Sequence, residues 1–368
     1  MKRLKVLHVC TSRSWGGMEM IVCRLAQLQK EHGYELTFAC DPESHINETC
    51  RSNNVRTLDI KDRDLFNLSG IAALDRFISR EQPDILHVQY SKDLNLVVPA
   101  NWRHRKKVIL TKQIESVVVK KDPWHRILYS GVNRATGISV MIRDNLIRTT
   151  PLTSGQVDLI HLGVDIDQFK QDARARAETR LEMGIAGDRL AIGMMGRMSP
   201  GKGFDDFLEM ASQLKDDRLF FALIGGYSRN EESYGRSLEE KARRLIGSNV
   251  YLTGYKENRQ RYLNALDIFI FPSHAESFGL ALVEAMATGL PCVAFGKDGV
   301  LDIITDGADG LFARVRDAAD LKTKTEKLIA DPGLRNKLGA AARDKAVSMF
   351  SEEKMLAGIA ETYHRALA

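Results

Sequence analysis

Short apolar runs alternate with segments of helical periodicity, and they do so twice along the chain. In the first half LKVLHV, ELTFAC, ILHVQ, KVILT and ATGIS read as strands, and segments opening at Met18, Leu68, Leu94, Pro123 and Met141 read as helices. Strand and helix in strict alternation imply a parallel sheet covered by helices on both faces. The second half repeats the pattern with LAIGMMG, LFFALIGG, NVYLTG, DIFIFPS and PCVAFG. The expected fold class is α/β, with two Rossmann-like doubly wound domains facing each other across a cleft. A length of 368 residues suits two domains. VDLIHLGVD closes the first sheet, a polar helical stretch follows over 165–185, and LAIGMMG opens the second sheet. These signals predict domains at 1–168 and 169–350. Ser351 with Glu353 and Lys354 marks the start of a last helix, about 351–368, expected to pack back on the first domain.

Composition narrows the class. Hydrophobic residues make up 44% and charged residues 27%, as in a globular chain. No apolar run reaches the roughly 18 residues of a membrane span. The start MKRLKVLHVC is interrupted by Lys5 and His8 and carries no secretory signal, so a cytoplasmic location is expected. The five cysteines (10, 23, 40, 50 and 292) include no CxxC pair, so neither a disulfide framework nor a zinc site is indicated. No HExxH occurs, and no metal is expected.

The net charge of +5 is unevenly placed. Residues 101–143 hold ten basic side chains and two acidic ones, near Trp102 and Trp124. Such a patch can meet an anionic membrane, an anionic acceptor or nucleic acid, or remain a solvated face. Peripheral membrane contact is the expectation adopted; nucleic acid is not.

In open α/β sheets ligands sit beyond the carboxyl ends of strands, so the loops there carry the chemistry. The first, TSRSWGGMEM, places Gly16 and Gly17 before a helix, where amides and partial positive charge suit a phosphate. A plain tight turn explains two glycines equally well. GRMSPGKGF puts Arg197 and Lys202 on one short loop, a spacing suited to a diphosphate or to two solvated charges. It lacks the Walker ending, and no GxGxxG is present. HAESFGLALVEAMATGLP carries Glu276 in a loop and Glu284 on the helix that follows. Gly279 is expected in that helix's first turn, leaving the amides of Phe278, Gly279 and Leu280 open to a phosphate or sugar hydroxyls. Glu284 lies among Ala281, Ala285 and Ala287, an unusual setting for a solvated charge. It can accept hydrogen bonds from ribose hydroxyls.

ESFGLALVE matches the E-x7-E signature of retaining glycosyltransferases of family 4, which have the GT-B fold. GRMSPGKGF resembles that family's arginine–lysine loop, SWGGMEM its N-terminal glycine loop, HLGVDIDQF its interdomain segment, and GLPCVAFGKDGVLDIITDGADGLF the stretch after E-x7-E. The resemblance spans nearly the whole chain. It implies a retaining, metal-independent transferase that uses a nucleotide-diphosphate sugar, UDP being the family's commonest nucleotide, as substrate with no other cofactor. The acceptor would be a glycan, lipid or lipopolysaccharide-type hydroxyl. By the same resemblance Arg197 and Lys202 bind the diphosphate and Glu284 the ribose. Glu276 and the 278–280 amides contact the sugar and β-phosphate, Gly16 and Gly17 close over that phosphate, and Gly254 and Tyr255 border the base. Many relatives carry a His in a T-x-H-D loop where TKQIES has Gln113, and His87 in DILHVQYSK is the candidate to replace it. Leu162 stands where the family has Asn.

Two other readings compete. DxD, the metal–nucleotide signature of another glycosyltransferase fold, occurs as DRD (62–64) and DID (165–167), short matches that arise by chance. An oxidoreductase would need the absent GxGxxG turn, and a non-catalytic binding protein would not need both glutamates and both cations.

Overall fold

The computed structural model describes residues 3–61, 67–214, 216–227 and 231–368. It contains two compact units, Met1–Leu162 with Glu352–Ala368, and Gly163–Ser351. The first crossing falls slightly before the 168/169 boundary read from the sequence. Val164 N–H donates to Phe350 O at 2.8 Å, which ties the start of the connection to the second unit. DRD (62–64) lies outside the described residues. In DID, Asp165 Oδ1 accepts from the amides of Asp167 and Gln168 at 3.0 and 2.9 Å, an Asx turn.

The first unit is a seven-stranded sheet of β1 (Lys5–Val9), β2 (Glu35–Cys40), β3 (Arg56–Asp59), β4 (Ile85–Val88), β5 (Lys107–Lys112), β6 (Arg134–Gly137) and β7 (Val157–Leu159). All pairs are parallel, in the order β3-β2-β1-β4-β5-β6-β7. Every residue of β4 is buried, as a central strand covered on both faces requires. The helix Glu352–Leu367 belongs to this unit. Its Glu352 carboxylate accepts two hydrogen bonds from the Arg24 guanidinium, each 2.6 Å, and Thr362 Oγ1 donates to Asp158 at 3.0 Å.

The second unit holds β8 (Leu190–Met195), β9 (Leu219–Ile224), β10 (Val250–Leu252), β11 (Ile268–Phe271), β12 (Cys292–Phe295) and β13 (Leu311–Ala313). These too are all parallel, in the order β10-β9-β8-β11-β12-β13. Each sheet starts in its middle and is extended first to one side and then to the other. The reversal falls between β1 and β4 in the first sheet and between β8 and β11 in the second. Loops leaving adjacent strands diverge at such a switch point and open a crevice there.

Two strands, β3 and β13, have no counterpart in the apolar pattern. β3 (RTLD) is a polar edge strand, which does not need apolar side chains on both faces, and β13 (LFA) is apolar but only three residues long. ATGIS also divides differently. Its strand ends at Gly137, and Ser139 becomes an N-cap whose hydroxyl accepts from Ile142 N–H. All five cysteines are buried free thiols. No helix of the described residues is long and apolar enough to cross a membrane.

Candidate functional site

In the second unit the loops after β8 and β11 meet at the switch point because a glycine lets them. Gly203 has φ +76°, and a Cβ there would stand 1.8 Å from Pro272 O. No side chain fits, so the two backbones touch, and His274 N–H donates to Gly201 O at 2.8 Å. This contact carries Lys202 Nζ to 2.7 Å from Glu276 Oε2. Two residues read from separate motifs therefore form one ion pair. Glu276 is further fixed through its carbonyl, which accepts from Gly299 N–H at 2.9 Å.

The loops after β9 and β10 join the same arrangement. A Cβ on Gly225 (φ +135°) would lie 2.0 Å from Gly196 O, and Gly225 bridges Gly254 in the turn after β10. Gly254 has φ +63°, and Tyr255 beside it is largely exposed. Gly254 and Tyr255 thus border the loop that carries Arg197. Arg197 itself projects into solvent, with Nε 3.4 Å from Glu231 Oε2, a partner that the sequence reading did not single out.

The segment after β11 corrects one expectation. Gly279 is not in the helix but is its N-cap, at φ +123°, and the helix runs Leu280–Ala287. Gly279 O accepts from Leu282 and Val283 N–H, and the Gly279 and Leu280 amides have no partner among the described residues. The Phe278 ring is buried edge-on to Phe350, with centroids 5.8 Å apart, which anchors this turn.

Glu284 is 4% exposed, so it is not a solvated charge. Its carboxylate is gripped by both ends of the Arg259 guanidinium fork, with Arg259 Nε 3.0 Å from Oε2 and Nη2 on Oε1. Burial pushes the Glu284 carboxyl above the usual range, and the charge and hydrogen bonds of Arg259 oppose that shift. Arg259 also lies over the Phe169 ring, 5.7 Å from its centroid. The sequence reading missed Arg259. Its turn, YKENRQR, offers several cations at equal prior merit, and only the fold shows which one reaches Glu284.

In the first unit Gly16 caps the helix Gly17–Glu31 in an extended conformation that any residue adopts, and a Cβ on Gly17 would meet nothing. The helix start is already faced by Glu19, whose carboxylate accepts from Ser12 Oγ at 2.8 Å. Across this switch point Thr11 donates to Asp93 through N–H (2.9 Å) and Oγ1 (2.6 Å).

His87 does not fit the role expected of it. It lies inside β4, is 0% exposed, and both ring nitrogens are engaged, Nδ1 with Tyr363 Oη and Nε2 with Thr111 Oγ1, each at 2.7 Å. Burial, and then repulsion from His8, drives its pKa well down. This is a neutral core histidine in a polar seam. Gln113 is also buried, at the wall of a cavity beyond β5. No group of three or more His, Cys, Asp or Glu among the described residues could hold a metal ion.

Arg259→Ala leaves the buried Glu284 carboxylate without its counter-charge. We expect a loss of about 1–3 kcal/mol at pH 7, read by denaturant titration. A carboxyl whose pKa is raised by folding favours the fold while protonated, below the ordinary 4.5, and loses that benefit as pH climbs through the raised value. The deficit of the variant should therefore shrink on acidification. A deficit that grew, or none at pH 7, would contradict the pairing.

Comparison with known proteins agrees with this architecture. Residues 15–168 match the model of Glycosyltransferase Family 4, and residues 175–345 that of Glycosyl transferases group 1. A D-inositol 3-phosphate glycosyltransferase of Streptomyces bingchenggensis is 30% identical over 61% of this chain and 51% of its own length. One of Frankia alni is 27% identical over 77% of this chain and 75% of its own length. The chain spans about half the length of several of the curated relatives it matches. A glycosyltransferase from Rickettsia africae superposes with a TM-score of 0.91 at 18% identity, covering 100% of this chain and 99% of that one. Anabaena Alr3699/HepE, in complex with UDP and glucose, gives 0.84 at 18% identity, covering 99% and 100%. The fold is GT-B. With one model matching each half, the chain belongs to the group 1, family 4 glycosyltransferases.

Proposed function

We propose that this protein transfers a sugar, with retention and without a metal, from a nucleotide-diphosphate sugar to a hydroxyl of a glycan, lipid or lipopolysaccharide-type acceptor. The observation that carries the reading is the Lys202–Glu276 pair at the switch point, in the same loop as the open amides of Gly279 and Leu280. Departure of a nucleoside diphosphate builds negative charge. Lys202 and the positive end of the helix Leu280–Ala287 are preorganised to meet it, and the exposed Arg197 swings in from the loop after β8, so the cations do the work a metal would otherwise do. Lys202 is neutralised by Glu276 until substrate arrives, and an arriving phosphate competes for its ammonium. Glu276 is then released towards the sugar hydroxyls.

Glu284 takes the ribose. A carboxylate has about four lone-pair directions, and Arg259 occupies two of them. The remaining two suit vicinal hydroxyls, and Arg259 lets the group stay ionised in a buried setting. Gly254 and Tyr255 border the base. UDP is the nucleotide we favour, as in the Anabaena complex. In the first unit the basic segment exposes Trp102, Trp124 and Val117, the last 93% exposed, a composition suited to an anionic membrane surface.

Lys202→Ala and Glu284→Ala should each lower donor turnover, hydrolysis without acceptor included, at least about tenfold. Wild-type turnover in either variant would overturn the assignment. The protein should also co-sediment with anionic vesicles, and binding should fall with salt; binding indifferent to salt would exclude the electrostatic contact.

A further inference from the structure

The loops after β8 and β9 stay paired beyond the strands that carry them. Gly196 N–H donates to Ile224 O at 3.0 Å and Met198 N–H to Gly226 O at 2.8 Å, further rungs of the parallel ladder on either side of Arg197. The backbone of Arg197 is therefore held in place, and its long side chain alone selects a partner. Its Nε lies 3.4 Å from Glu231 Oε2. Glu231 is the N-cap of the helix Glu232–Ile246, whose positive end favours a carboxylate at that place. The Glu231 side chain is 18% exposed and that of Arg197 56%, so the pair is shielded on the side of the acid and open on the side of the cation.

The two cations read as diphosphate ligands are thus each matched by an internal carboxylate, Lys202 by Glu276 and Arg197 by Glu231. The carboxylates differ in duty. Glu276 faces the sugar in the reading above, whereas Glu231 has no task there. A guanidinium recognises carboxylate and phosphate oxygens alike. A diphosphate that takes Arg197 must therefore displace Glu231.

We propose that Glu231 is an internal rival of the donor's diphosphate for Arg197, weakening the grip on donor and on released nucleotide alike. The inference rests on the donor reading and adds a positioning residue to it, one that acts only through the Arg197 guanidinium. Such a rival shifts the affinity of substrate and product by the same factor and leaves the chemical step alone. Where product release limits turnover, it shortens the time the spent nucleotide stays bound.

The test compares Glu231→Gln with Glu232→Gln in the full chain. Glu232 lies one residue further into the same helix, and its carboxylate accepts from Arg236 Nε at 3.1 Å. Its loss removes the same charge from the same neighbourhood without removing the partner of Arg197. UDP and inorganic pyrophosphate are titrated by calorimetry, and melting points check folding. We expect Glu231→Gln to bind both ligands about two- to fivefold tighter than the parent, the range of an exposed ion pair, and Glu232→Gln to bind them as the parent does. In an Arg197→Ala background the gain from Glu231→Gln should vanish. Donor hydrolysis supplies a split that a merely structural role would not produce: KM falls by that same factor, and kcat does not rise. No tightening in Glu231→Gln, an equal tightening in Glu232→Gln, or a gain that survives in Arg197→Ala would overturn the proposal. Arg197→Ala by itself separates this inference from the donor reading. Weaker UDP binding there, with no gain in Glu231→Gln, removes the inference and leaves the reading; unchanged UDP binding removes both.

Discussion

The contact of Gly203 with the Pro272 carbonyl holds the candidate donor site together. Two loops leaving adjacent parallel strands would ordinarily diverge. Here the absence of a single Cβ lets them touch, and the touch sets the distance between Lys202 and Glu276. Gly225 against Gly196 and Gly299 against Ser277 repeat the device around the same end of the sheet. The site is thus held by backbone packing rather than by long side chains that would have to be ordered at each binding event.

The charges in the second unit follow one physical rule. A buried carboxylate persists as an ion only where a counter-charge and hydrogen bonds hold it, and Arg259 supplies both to Glu284. The Lys202–Glu276 pair is more open and exchangeable, a state suited to a group that must meet ligand. Glu284 is therefore a fixed fixture and Lys202 a responsive one.

Much of this was legible in the sequence because central strands of a parallel sheet must be apolar on both faces, and a loop rich in glycine and charge at a strand end stands out against them. β3 escapes that logic because it is a polar edge strand, and β13 because three residues are too short a run to stand out. Gly279 was misplaced by one step because its left-handed backbone makes it a cap, and conformation is not written in residue type. His87 looked reactive at a strand end, yet the polar seam that buries it is completed by Tyr363, far away in the chain. Arg259 was lost among neighbouring cations for the same reason: its partner lies on another element.

The most direct test of the account is a crystal structure of the protein soaked with UDP-glucose or another sugar nucleotide. The account predicts the pyrophosphate within hydrogen-bonding distance of Lys202 and the Gly279–Leu280 amides, with the ribose hydroxyls on Glu284. A nucleotide bound elsewhere on the second unit, with the Lys202–Glu276 pair undisturbed, would contradict it.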